Sequence, residues 1–231
     1  MSDKLVPFFN PSDVLSLGGD WVVQDDGLAD SNQRAQGLAA NGDESANQLH
    51  DGKTAGTIKY ECFASAGNLV LPNVGSVKGG YHIDSISLTP QATGWPQLTV
   101  TVHQHDDNAH VDGDFNEYAP SIVFPAGYGI PRTLALVAIG TAFSLDDVEA
   151  GMRGMTYTLS CQHQDEPDGS GNHLAGENRD GVETLACEFT KDPSAVTIAA
   201  GWDEMTDGAT RSNTAAETAS RQWEHHITRE V

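Results

Sequence analysis

Leu98-Thr99-Val100-Thr101-Val102-His103-Gln104-His105 alternates apolar and polar residues one for one over most of its length. Side chains of an extended chain point to opposite faces in turn. This period of two therefore puts Leu98, Val100 and Val102 on one face and Thr99, Thr101 and His103 on the other. Valine and threonine are β-branched, which suits a pleated strand better than a helix. The stretch predicts a half-buried strand.

Outward from it, the same chemistry recurs. Upstream, Tyr81–Thr89 alternates and is separated by Pro90 and the Gly94-Trp95-Pro96 turn. Strict alternation assigns Ile83, Ser85, Ser87 and Thr89 to one face, and His82, Asp84, Ile86 and Leu88 to the other. Thr57–Phe63 places Ile58, Tyr60 and Cys62 together. Ser121–Phe124, Leu134–Ile139, Met155–Cys161 and Val182–Phe189 are further short strand candidates, the last two joined by an acidic loop, Gln162–Gly181. Ser144 can cap one or two helical turns over Ser144–Glu149. Near the end, Thr214 and Glu217 have capping-box spacing. The turn-forming Gly208, Ser212 and Asn213 favour a strand instead, with Ala219, Arg221, Trp223, His225 and Ile227 on one face.

The expected fold is mainly β: a two-sheet β-sandwich or barrel over residues 57–231, with one short helix and long loops. Residues 1–56 are rich in Asn, Gln, Asp and Gly and read as an extended N-terminal arm, with Gln24–Lys53 as loop. An internal echo joins Leu98–Asp107 to Tyr157–Glu166 without a gap. In both, a strand runs into a His/Gln pair and then an acidic pair, so the two strands are expected to end at the same rim.

Charge limits the function. Thirty-three acidic residues oppose twelve basic ones, a net −21 with histidine neutral. Such a surface repels a phosphate backbone, because gripping one requires cations that displace its counterions. Repulsion suits a conduit through which DNA slides without specific binding; solubility accounts for the same charge equally well. The three cysteines are an odd number in strand-like settings, which points to reduced core thiols and not a secreted disulfide framework. No apolar run approaches the roughly 20 residues of a membrane span, so no membrane partner is expected.

Candidate chemistry is sparse. His103, His105 and His110 flank Asp106 and Asp107, and His-x-His on a strand points both rings to one side, where they can chelate an ion. The simpler reading leaves them unmetallated, so no metal and no cofactor is expected. Asp112-Gly-Asp-Phe-Asn116 resembles an oxygen-rich cation loop but lacks the Gly and Glu an EF-hand needs. No nucleophile elbow, phosphate loop or dinucleotide fingerprint is present, and no catalytic residue is assigned. Trp95 and Trp202 read as core or interface plugs.

Two stretches carry a resemblance: Gly94–Asp107 with its lead strand Ile83–Thr89, and His173–Leu185 followed by the Trp202 turn. With Ser212–Glu217 and His226–Arg229, they resemble bacteriophage virion proteins over residues 80–231, most of all tail-tube (major tail) proteins. That family implies a non-enzymatic structural subunit made in the host cytoplasm and built into the virion. It implies a hexameric ring, stacked rings around a DNA-conducting lumen, and contacts with other virion proteins. The alternatives are a head, neck or capsid-decoration protein, or, in a different class, a His-ligated metal-dependent β-barrel enzyme.

Overall fold

A computed structural model of the chain describes residues 17, 20–38, 44–91, 94–105, 116–127, 135–138, 141–144, 152–167, 173–189, 201–205, 211–212 and 218–227. All regular structure among them is strand. The strands are β1 (Trp21–Asp26), β2 (Ala29–Leu38), β3 (Glu44–Cys62), β4 (Val77–Lys78), β5 (Tyr81–Thr89), β6 (Gln97–His105) and β7 (Ile122–Val123). They continue with β8 (Ala135–Ala138), β9 (Thr141–Ser144), β10 (Met152–Pro167), β11 (His173–Phe189), β12 (Asp203–Glu204), β13 (Arg211–Ser212) and β14 (Thr218–Ile227).

One large sheet runs β1-β3-β6-β5-β10-β11-β14-β12, with β2 on β3, β4 on β5 and β13 on β14. A separate small sheet runs β7-β8-β9. The mainly β class is as expected. Among the described residues the large sheet does not close, however: β1 and β12 stand at opposite ends of the strand order, so the expected barrel is not formed. The helix expected over Ser144–Glu149 falls beyond β9 and outside the described residues, apart from Ser144 itself.

Two segments read as loops are strands. Apart from Gly27 and Leu28, the described residues of Gln24–Lys53 lie in β1, β2 and β3, and β3 runs without interruption through the expected boundary at residue 56. Gln162–Gly181 continues β10 and β11 as a hairpin, paired from Gln162↔Arg179 to Pro167↔His173. Neither segment alternates apolar and polar residues, so the period-two signal that marks β6 is missing from both. The C-terminal ambiguity resolves to strand β14, paired with β11 from Gly181↔Ile227 to Phe189↔Ala219.

The core lies on one face of the sheet. It collects Ile58 and Tyr60 from β3, Leu98, Val100 and Val102 from β6, Ile86 and Leu88 from β5, and Tyr157 and Leu159 from β10. Each such side chain contributes about 1.5–3 kcal/mol by leaving water. Residues 68–76 and 116–127 cross this face, tied together by Val74↔Tyr118 and Asn68↔Pro125 bridges. They seat Phe124 with its ring centroid 4.9 Å from that of Tyr157. Trp202 is buried, as a core plug should be, and Trp95 meets Phe63 edge-on at 5.7 Å. All three cysteines are free thiols; Cys187 lies opposite Met155, not Cys161.

The echo between β6 and β10 has a structural meaning. Both strands flank β5, and the aligned residues share β5 partners. Leu98 and Tyr157 both face Leu88, Thr99 and Thr158 both face Ser87, and Val100 and Leu159 both face Ile86. The two strands run in the same direction and reach the same rim.

Strict alternation fails once, in β5. A bulge between Ile83 and Ser85 shifts the register, so Ile83 joins Ile86 and Leu88 on the core face. His82 is thereby set opposite His103, and Asp84 is the extra residue of the bulge.

Candidate functional site

At the rim where β5 begins and β6 ends, five strands deliver a cluster of imidazoles and carboxylates with an amide and an amine beside them. His82 comes from β5, His103 and His105 from β6, and His163 and Asp165 from β10. Asn178 comes from β11 and Lys53 from β3. His82, His103 and His105 are each no more than 3% exposed. The ring centroids of His82 and His163 are 4.2 Å apart, those of His82 and His103 4.8 Å, and those of His103 and His163 4.7 Å. His103 and His105 share a face as the His-x-His spacing predicts, edge to face at 5.5 Å.

The hydrogen bonds specify where protons sit. Asn178 Nδ2 donates to the carbonyls of Gly75 and Asn116, both at 3.1 Å. That fixes the amide orientation, so Asn178 Oδ1 is the acceptor facing the rings. His82 Nε2–H donates to it at 2.9 Å and His163 Nδ1–H at 2.8 Å. The other nitrogens also face carboxylates: His82 Nδ1 donates to Asp84 Oδ1 at 2.9 Å, and His163 Nε2 to Asp165 Oδ1 at 2.8 Å. Both ring nitrogens of His82 and of His163 are thus engaged, one by Asn178 Oδ1 and the other by Asp84 or Asp165. His103 Nδ1 donates to Asp84 at 2.7 Å. Its burial, outweighing the pull of Asp84, lowers its pKa, so Nε2 carries the lone pair.

The carboxylates respond in kind. Burial would raise Asp84, but hydrogen bonds from His103 and His82 outweigh it and hold the carboxyl well below its ordinary range. Asp165 behaves likewise: burial opposes ionisation, and His163, Lys53 and His105 overcome it. For His163, burial lowers the pKa while Asp165 and Asn178 raise it, and the net direction is up.

A pH dependence follows for Asp84. A carboxyl depressed on folding adds stability above its unfolded pKa of about 3.9, and this is lost as pH falls through that value toward the folded one. Asp84→Asn is therefore expected to cost about 2 kcal/mol at neutral pH and progressively less below pH of about 4. Urea unfolding of both proteins in chelator, at neutral and acid pH, checks this; a gap that does not narrow in acid sinks it.

Of the sequence-derived candidates, His103 and His105 are in the cluster. His110 lies outside the described residues, as do Asp106 and Asp107. His82, Asp84, His163 and Asn178 are not among those candidates, and in the sequence Asp165 only begins an acidic stretch, Asp165–Gly169, without a full ligand pattern. The echo held the available signal, because it aligns the His-bearing end of β6 with that of β10. A second buried polar centre is Glu183, which accepts from Ser121 N at 2.6 Å, from Tyr157 Oη at 2.5 Å and from the Ser121 hydroxyl. No protein-family model matches the chain, and no curated protein is similar to it.

Proposed function

We propose that the chain is a structural virion subunit of the tail-tube type, which assembles through its sheet edges and hairpins. The observation that carries this reading is a pair of strand hairpins overhanging one rim of an open sheet. β3 continues to Glu44, paired with β2, beyond the His105 end of β6, and β10 continues to Pro167, paired with β11. Both project past β5 and β6, where a neighbouring ring would sit.

The sheet edges support the same reading. An edge strand presents unsatisfied N–H and C=O groups that template pairing with another chain. Joining the β1/β2 edge of one subunit to the β12/β13 edge of the next is a head-to-tail contact, and such contacts close rings when the rotation allows. On the face opposite the core, the middle of β5, β6 and β10 carries only hydroxyls: Ser85, Ser87, Thr99, Thr101, Thr158 and Ser160. A neutral strip in a strongly acidic protein suits passage of DNA without binding it.

A metal-dependent enzyme would need an open coordination position. The enclosure of His82, His103 and His105 favours a structural role for the cluster instead. Head, neck and capsid-decoration roles would use the same edges. The test is negative-stain microscopy with sedimentation velocity over a range of protein and salt concentration. Rings or tubes are expected; single rings that never stack would favour a neck role. A strict monomer under every condition overturns the proposal.

A further inference from the structure

We propose that His103, His105 and Asp165, joined by His163, form a binding site for a Zn²⁺-class transition-metal ion that fastens the β10–β11 hairpin to β6. One ligand atom from each of His103, His105 and Asp165 lies within 4.8 Å of the others. His105 Nε2 is 3.3 Å from Asp165 Oδ1, and His163 Nε2 is 2.8 Å from the same oxygen. Tetrahedral ligands at the usual Zn–N and Zn–O lengths stand about 3.4 Å apart. Two of the separations are thus already at coordination scale, and the trio needs to close by about 1.4 Å at most.

The shell behind these ligands is also in place. Metal-bound imidazole characteristically donates its other N–H to a carboxylate or carbonyl oxygen, which fixes the ring and the tautomer. His103 does this through Nδ1 to Asp84 Oδ1, and His163 through Nδ1 to Asn178 Oδ1. His163 Nε2 and His105 Nε2 both face Asp165 Oδ1, and the Nδ1 bond to Asp84 leaves Nε2 as the His103 atom that can reach an ion. On binding, the ion takes the place of the His163 Nε2 proton, which leaves to solvent, while the Nδ1 bond to Asn178 persists. Lys53 Nζ sits 3.3 Å from Asp165 Oδ2, the oxygen not shared with the imidazoles, and steadies the carboxylate without occupying the ligand position.

Three imidazoles and one carboxylate select a borderline ion such as Zn²⁺, Co²⁺ or Ni²⁺ over Ca²⁺ or Mg²⁺, which prefer all-oxygen sites. Four protein ligands in a closed setting describe a structural centre. The ligands come from two strands on either side of β5, so the ion would tie together the rim from which both hairpins project. The site does not depend on the tail-tube reading.

The experiment uses the full chain, stripped with chelator and titrated with Co²⁺ and then Zn²⁺. One ion per chain is expected, with the visible bands of four-coordinate Co²⁺ and displacement by Zn²⁺. His105→Asn and Asp165→Asn are expected to weaken Zn²⁺ binding by about 100-fold, and Asp84→Asn, which removes no ligand, by about 10–100-fold. His226→Asn, an exposed ring paired with Glu224, is expected to leave it unchanged. Should a ligand variant fail to fold, the wild-type titration and Asp84→Asn still decide. The proposal is overturned if the wild-type chain takes up neither ion at micromolar concentration, or if folded His105→Asn binds as tightly as wild type. The cluster is then a proton-filled hydrogen-bond network only.

Discussion

Glu183→Ala is expected to lower the unfolding free energy by about 3–5 kcal/mol, the scale of breaking a buried charged network by removing one partner. At about 2–4 °C per kcal/mol for a chain of this size, the melting temperature falls by roughly 10 °C. Glu183 is fully buried on the core face, and it is the common acceptor for Ser121 N, the Ser121 hydroxyl and Tyr157 Oη. Those donors come from two other parts of the fold, β10 and the segment leading into β7. Removing the carboxylate leaves all three facing a cavity. Burial, together with the Glu183 charge, pushes the Tyr157 hydroxyl pKa up, so it stays a donor and cannot ionise to relieve the loss. Tyr157→Phe keeps the ring against Phe124 and removes one donor, which should cost about 1 kcal/mol. Because the two residues share one network, the double variant should lose less than the sum of the singles. A Glu183→Ala melt within about 2 °C of wild type would refute this account.

Gly75→Ala is expected to destabilise by about 2–4 kcal/mol, combining backbone strain with a collision. Gly75 has φ of 84°, a region that costs any residue with a Cβ. A Cβ there would also lie 2.3 Å from the carbonyl oxygen of Asn116 and 2.7 Å from Asn178 Nδ2. The Asn178 amide would have to move, and its contacts with His82 and His163 would go with it. Gly67 is the control: its φ is 98°, and an added Cβ meets nothing within 4 Å. Gly67→Ala should therefore show the strain alone, about 1 kcal/mol. Equal losses in urea unfolding of the two variants would remove the steric part of the argument.

Legibility differed between the core and the site. Leu98, Val100 and Val102 could be assigned to the core because burial on one face of a strand writes itself into sequence with period two. The same local rule put His103 and His105 side by side. It failed at Asp84, where one inserted residue reverses the faces of Ile83 and His82. A bulge is a property of pairing with β6, and nothing within Tyr81–Thr89 announces it. Glu183 was half visible as a lone charge in the buried row with Leu185, Cys187 and Phe189, but its partners Ser121 and Tyr157 were not.

The sequence by itself determined the β class, the reduced state of the cysteines, the acidic character and the period-two faces of β6. These depend on composition or on neighbours one to four residues apart, where the chain's own geometry is enough. Only the tertiary structure decided that the Gln162–Gly181 segment is a hairpin, that the large sheet stays open, and that His82 and His163 stand beside His103. Those outcomes depend on which strands pair and in what register. Asn178 reaches His82 across 96 residues, and Lys53 reaches Asp165 across 112. Contacts at such separations are chosen by the packing of the whole sheet, and no local pattern encodes them.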